Sequence, residues 1–152
     1  MKSSNVLLWW ICLLTAPWAL AQMRYSYSSD GSEVTDAQTG LVWRRCAEGM
    51  AWSGSTCTGS AATYSHEGAL ARAQSQSGWR LPSVKELASI AERGRSNPAI
   101  DSAAFPATPS TRFWSSTPFV GYPADAWVVN FRDGHVIKYG RDYGYYAVRL
   151  VR

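Results

Sequence analysis

The spacing of apolar positions changes several times along the chain, and each spacing predicts an element. Met23-Arg24-Tyr25-Ser26-Tyr27 alternates as a short strand does, and Asp30-Gly31 turns the chain. A second polar turn ends at Thr39-Gly40, after which Leu41-Val42-Trp43 begins a strand that runs into Cys46. From Ser65 to Gln76 the chain is alanine-rich and helical in character, closed by Gly78, although Gly68 and many polar residues weaken it. The next helix, predicted over 83–93, is better specified. Ser83 and Glu86 have capping-box spacing: the Ser83 hydroxyl accepts from the Glu86 amide, and the Glu86 carboxylate accepts from the Ser83 amide. Val84, Leu87, Ala88, Ile90 and Ala91 form its apolar face, and Gly94 ends it.

Between Ser96 and Pro118 the periodicity lapses, and Pro98, Pro106, Pro109 and Pro118 predict an irregular loop pinned to the core by Phe105 and Trp114. Strand signals then return. Trp127-Val128-Val129-Asn130-Phe131 alternates, Asp133-Gly134 signals a hairpin turn, and His135 to Tyr139 leads back. A closing strand is expected from Tyr145 to Val151. Strands, two helices, a long loop and a final meander make an α+β domain without internal repeats. Trp43, Trp79, Trp114 and Trp127 sit within these apolar patterns and read as core or loop-anchoring residues. Arg80 and Glu86 read as a local structural pair.

The first residues follow another pattern. Lys2 precedes the apolar run Val6 to Leu14, Pro17 breaks it, and Ala19-Leu20-Ala21 offers small residues for cleavage. Residues 1–21 are therefore expected to be a secretory signal peptide, with a mature chain from Gln22. The run is about half the roughly 20 apolar residues a membrane span needs, and no later stretch is longer. Cys12 lies inside the run without the preceding small residues of a lipoprotein signal. Export to the periplasm or the exterior follows.

Composition adds little to this picture until the kind of base is considered. The formal charge of +4 falls to +3 when Lys2 is removed, too mild to indicate a nucleic-acid partner. After the signal, Lys85 and Lys138 are the only lysines and every other base is arginine. Arginine forks onto carboxylate, sulfate and phosphate, although a GC-rich genome would give the same bias. Cys46 and Cys57 are the two cysteines left after cleavage, and they flank a loop rich in Gly, Ser and Thr. In an oxidising compartment they are expected to pair. A metal site would need further Cys or His ligands nearby, and the sequence offers none. No metal and no cofactor is expected.

Five segments occur in a telling order: Thr39-Gly40-Leu41-Val42-Trp43; Trp79-Arg80-Leu81-Pro82-Ser83-Val84-Lys85-Glu86-Leu87; Phe113-Trp114-Ser115-Ser116-Thr117-Pro118; Ala126 to Phe131 with Asp133-Gly134; and Val148-Arg149-Leu150-Val151-Arg152. Over residues 39–152 the chain resembles the bacterial Lcl C-terminal domain family, named for the tail of a collagen-like adhesin and long a domain of unknown function. Residues 22–38 would precede that domain as a strand and turn segment. The resemblance implies a C-type-lectin-like fold, in which the first and last strands lie close, two helices flank a small sheet, and a long loop region carries the ligand surface. The Trp79-Arg80-Leu81-Pro82 segment also looks like one in the sulfatase-modifying, formylglycine-generating enzymes. Their active cysteines come late in the chain, whereas here none follows Cys57. Calcium-dependent sugar binding lacks its Glu-Pro-Asn or Gln-Pro-Asp triplet and its Trp-Asn-Asp, so the carboxylate oxygens a hard cation needs are missing.

Catalysis finds no convergent set. His66 and His135 are the two histidines, and nothing in the spacing of Ser115, His135 and Asp133 supports a triad. The stretch Lys138 to Tyr146 is different, with four tyrosines, Arg141, Lys138 and Asp142 around Gly140 and Gly144. Its composition is that of binding loops, where tyrosine gives contact area at low entropy cost. It also suits a twisted strand pair whose tyrosines half-cover the core. In one continuous strand, Tyr139, Arg141, Tyr143 and Tyr145 would share a face and form the candidate ligand surface. The reading is a secreted, non-enzymatic recognition domain for a polyanionic glycan or a cell-surface protein, open to oligomerisation. Its rivals are an enzyme of the sulfatase-modifying type and a structural periplasmic subunit.

Overall fold

A computed structural model describes residues 23–152; the expected signal peptide and Gln22 lie outside the described residues. Ten elements follow one another: β1 (Tyr25–Tyr27), β2 (Glu33–Asp36), β3 (Val42–Arg44), β4 (Ala51–Trp52), β5 (Cys57–Thr58), α1 (His66–Gln74), α2 (Val84–Ser89), β6 (Arg112–Pro118), β7 (Asp125–Asn130) and β8 (His135–Gly140). They form three antiparallel sheets, β1-β2-β3, β4-β5 and β6-β7-β8, with two helices: an α+β architecture. Among the described residues no helix is long and apolar enough to cross a membrane.

The β6-β7-β8 sheet is buried on both faces, and the two-residue period of its strands divides the core. Phe113 and Val129 point into one cluster with Trp43, Leu87, Ile90, Ile100 and Phe105. Trp114, Ala126 and Val128 point into the other, beneath Ala69 and Ala73 of α1. Those two alanines are one turn apart, so α1 presents a small-residue stripe that lies close on the sheet. Ser65 caps α1 by accepting from the Gly68 amide at 3.1 Å. Packing and a cap hold a helix that propensity alone would not.

The last residues close the fold rather than forming one ladder. Val42 and Arg152 exchange both backbone hydrogen bonds at 2.9 Å, and Arg80 and Val151 exchange both at 3.0 Å. Tyr64 bridges Tyr146, and Phe113 bridges Ala147. The strand expected over 145–151 is thus an extended segment shared among four neighbours. Its alternation is still used: Ala147 and Val151 enter the first cluster, Val148 and Leu150 the second.

Three further expectations change. The helix over 83–93 keeps its capping box but stops at Ser89, because Ala91 leaves it to bridge Ile100 and the Glu92 amide donates to Ala99 O at 2.9 Å. The irregular loop ends earlier than Pro118: Pro109 and Pro118 bracket β6 instead of interrupting it. Phe105 and Trp114 are both fully buried, as loop and core anchors should be, although Trp114 sits within that strand. β2 pairs with both β1 and β3, so the segment before residue 39 belongs to the same sheet as the family motif. Cys46 and Cys57 are joined, with Cα atoms 5.5 Å apart, across the β4–β5 hairpin.

Most of the arginine is spent inside the fold. Arg24 forks onto Asp36 at 2.9 and 3.1 Å and reaches Ser89 O. Arg45 donates to the carbonyls of Gly31, Ala103 and Ala104 while lying 4.4 Å from the ring centres of Tyr27 and Trp52. Arg149 is fully buried and donates to Thr108 Oγ1 and the carbonyls of Arg44 and Arg45, beside the faces of Phe105 and Phe113. Burial lowers its pKa to about 9, which leaves it protonated at neutral pH. The bias toward arginine that suggested anion recognition is largely a structural device, tying loops together through carbonyls and ring faces.

Candidate functional site

The tyrosine-rich segment leaves β8 at Gly140 and turns over residues 141–143, so no continuous strand carries Tyr139, Arg141, Tyr143 and Tyr145 to one side. The residues divide instead. Tyr139 is half-buried, packed edge-on against Tyr146 at 5.3 Å, with the Arg112 guanidinium 4.5 Å from its ring centre. Tyr143 and Tyr145 stand in solvent, 93% and 65% exposed. Gly144 is what allows this. A Cβ there would lie 2.5 Å from the Tyr146 ring and 3.1 Å from Trp114, so only glycine lets Tyr146 lie 4.9 Å from Trp114.

Arg141 is held from below by His66. Its Nε donates to His66 Nδ1 at 2.9 Å, and His66 Nε2 faces Ser115 O at 2.9 Å. An acceptor at Nδ1 and a donor at Nε2 define one neutral tautomer. His66 is 1% exposed, its ring edge-on to Trp114 at 5.1 Å. Burial first, and the Arg141 charge after it, lower the His66 pKa below its ordinary 6.5, against the opposing effect of the Ser115 carbonyl. The sequence places His66 in a weak helix beside Glu67, where it looks like a surface residue. Its burial follows from the start of α1 docking on β6. Arg112, Tyr139, Tyr146, Trp114, His66 and Arg141 thus form one connected row beneath the turn.

The neighbouring surface comes from the β6–β7 loop, residues 119–124. The Arg141 amide donates to Ala124 O at 2.8 Å, and Asp125 pairs with Gly140, so loop and turn lie side by side at one end of the sheet. That loop adds Tyr122, 58% exposed, and Val120, 94% exposed. Sequence reading passed over both because they stand alone between turn residues. Beside them, a cleft of about 610 Å³ runs along α1, lined by Glu67, Leu70, Gln74, Pro123, Arg141 and Asp142 among others. Lys138 pairs with Asp125 at 2.9 Å, and His135 lies 3.1 Å from Asp133 at the opposite end of the sheet.

The other residues singled out from the sequence have structural places. Trp43 and Trp114 are fully buried. The guanidiniums of Arg44 and Arg152 both lie against the Trp79 ring, and Trp127 packs edge-on to Phe119. Arg80 and Glu86 form a two-point ion pair at 2.8 Å. Ser115 Oγ donates to Trp127 O, far from any arrangement with His135. No group of three or more His, Cys, Asp or Glu side chains among the described residues could hold a metal ion.

These features define a small α+β domain, stapled by one disulfide and closed by its own C-terminal segment. It belongs to the Lcl C-terminal domain family, whose model matches residues 32–152. The match starts upstream of Thr39 and takes in β2, in keeping with the pairing of that strand. No curated protein and no solved structure matches the chain.

Proposed function

We propose that the chain is an exported, non-enzymatic recognition domain of C-type-lectin-like fold, which binds a surface glycan through the β6–β7 loop and the turn after β8. The observation that carries this reading is the grouping of exposed Tyr122, Tyr143 and Tyr145 with an oriented Arg141 at one end of a rigid sheet. Exposed tyrosine rings offer flat faces for sugar rings and one hydroxyl each for hydrogen bonding. The lectin-like topology is supported by β3 pairing with the last residues, by two helices beside the sheets, and by the long segment between α2 and β6. Export is supported by the N-terminal pattern together with the disulfide.

The charge at this end narrows the ligand. Lys138 is paired, and Glu67 and Asp142 border the Arg141 cleft, so a densely charged polyanion would meet carboxylates beside its one cation. A glycan carrying isolated acidic units fits better than a heavily sulfated chain. Against the sulfatase-modifying alternative, Cys57 is joined to Cys46 and no cysteine follows it. A glycan-array screen of the purified protein at two salt concentrations tests the reading. Bound glycans whose signals fall only a few-fold with salt are expected. Binding confined to heavily sulfated chains and abolished by salt would overturn the narrowing. No glycan bound, with retention on a cell-surface protein, would overturn the glycan reading.

A further inference from the structure

We infer that the cleft along α1 is a subsite for one carboxylate-bearing sugar unit, with Arg141 as the carboxylate fork and His66 as the residue that orients it. The inference rests on the recognition reading above and adds its ligand chemistry. Several arginines have their guanidiniums committed to acids or carbonyls, Arg24 to Asp36, Arg80 to Glu86, Arg45 and Arg149 to carbonyls, and Arg112 lies over the rings of Tyr139 and Tyr146. Arg141 is different. Only its Nε has a partner among the described residues, and that partner is a neutral histidine rather than an acid. The two terminal nitrogens remain free to fork onto a planar carboxylate, the geometry for which guanidinium is suited. Because His66 is fixed by Ser115 and Trp114, the guanidinium is oriented before any ligand arrives.

The rest of the lining fits the remainder of a sugar. Glu67 and Asp142 accept hydrogen bonds from hydroxyls and repel a second anion, the Gln74 amide both donates and accepts, and Leu70 and Pro123 give an apolar floor. A single carboxylate among hydroxyls satisfies this set, whereas a sulfated chain would bring uncompensated charge against the two acids. The cleft volume of about 610 Å³ accommodates such a unit with the chain continuing onto the tyrosines. His66 also makes the site responsive to pH. Protonated, Nδ1 carries a hydrogen and can no longer accept from Arg141, and two cations would face each other. From β6 the groups at His66 are Trp114 and the Ser115 carbonyl, and from the turn after β8 only Arg141; the adjacent Glu67 lines the cleft.

The test is a backbone-amide NMR titration of the purified protein with D-glucuronate, with D-glucose and glucose 6-sulfate as controls. Expected are shifts at residues 66–74 and 141–142, with glucuronate binding at least tenfold more tightly than either control. Arg141→Gln should remove that preference with the rest of the spectrum unchanged. Arg141→Lys, which keeps the charge but loses the fork, should weaken glucuronate binding about as much and guards against a folding defect in the first variant. Wild-type binding should weaken as the pH is lowered below the ordinary imidazole range, and His66→Gln, which keeps an acceptor for Arg141 Nε, should remove that pH dependence. Equal binding of glucose and glucuronate, or shifts elsewhere on the surface, would overturn the inference. If glycans bind the array and lose that binding on tyrosine substitution while glucuronate leaves the cleft untouched, the subsite falls and the recognition surface stands.

Discussion

Gly144→Ala should destabilise the domain while Gly140→Ala should not, although both glycines sit in the same tyrosine-rich segment. Neither has a left-handed φ, so backbone strain does not separate them. Both substitutions restrict the unfolded chain alike, a gain of about 0.4–1 kcal/mol that cancels in the comparison. What differs is the neighbour. A Cβ at Gly140 would meet Tyr143 Cδ2 at 3.1 Å, and Tyr143 is 93% exposed and free to swing away. A Cβ at Gly144 would meet Tyr146 at 2.5 Å, and Tyr146 is wedged between Trp114 and Tyr139. Overpacking a fixed site costs about 1–3 kcal/mol, so the two variants should differ by about 2 kcal/mol. Urea unfolding followed by tryptophan fluorescence reads the difference directly. In a Tyr146→Ala background the Gly144→Ala penalty should shrink by at least about 1 kcal/mol, since the ring that blocks the methyl is gone. Equal stabilities for the two single variants, or no coupling in the cycle, would refute the packed row beneath the turn.

Two further outcomes follow from pairs already described. Arg80 first, and then the Ser83 amide and hydroxyl, hold the Glu86 carboxyl at about 2 against an ordinary 4.5, so its contribution is complete above pH 4.5 and is lost as pH falls toward 2. With Arg80 half-exposed, Glu86→Gln should cost about 1 kcal/mol at pH 7 and almost nothing near pH 2, read from thermal unfolding at both. Reducing Cys46–Cys57 should cost about 2–3 kcal/mol, and alkylation without reductant should modify neither cysteine.

The elements written most plainly in the sequence were those whose signals are local. The Ser83–Glu86 capping box and the Asp133-Gly134 hairpin are each set by residues a few positions apart, and both are present, with Gly134 at φ +81. β2 was hidden because Glu33-Val34-Thr35-Asp36 shows a single apolar residue, although Asp36 is buried by Arg24. β6 was hidden by its flanking prolines and by Ser115 and Ser116. Apart from Arg80, whose partner Glu86 is close in sequence, the fate of the arginines was not legible, because a carbonyl partner fifty or more residues away leaves no local mark; Arg45 with Ala103 and Ala104 is the clearest case. At the candidate site composition singled out residues 138–146, but the strand register expected there was broken by the turn after Gly140. Which tyrosines face out depended on a contact between Gly144 and Tyr146 that no spacing rule contains.

The central claim is that the end of the sheet bearing Tyr122, Tyr143 and Tyr145 is the recognition surface. The most direct measurement is glycan-array binding by the wild-type protein, by Tyr122→Ser/Tyr143→Ser/Tyr145→Ser, and by Arg93→Ala/Arg132→Ala beside the opposite, β7–β8 end. The exposed tyrosines should be replaceable with a stability change of about 0.5 kcal/mol or less per site. The account predicts that the tyrosine variant stays folded and loses at least tenfold in binding, while the arginine variant binds as the wild type does. A tyrosine variant that binds unchanged, or binding lost only with Arg93 and Arg132, would contradict it.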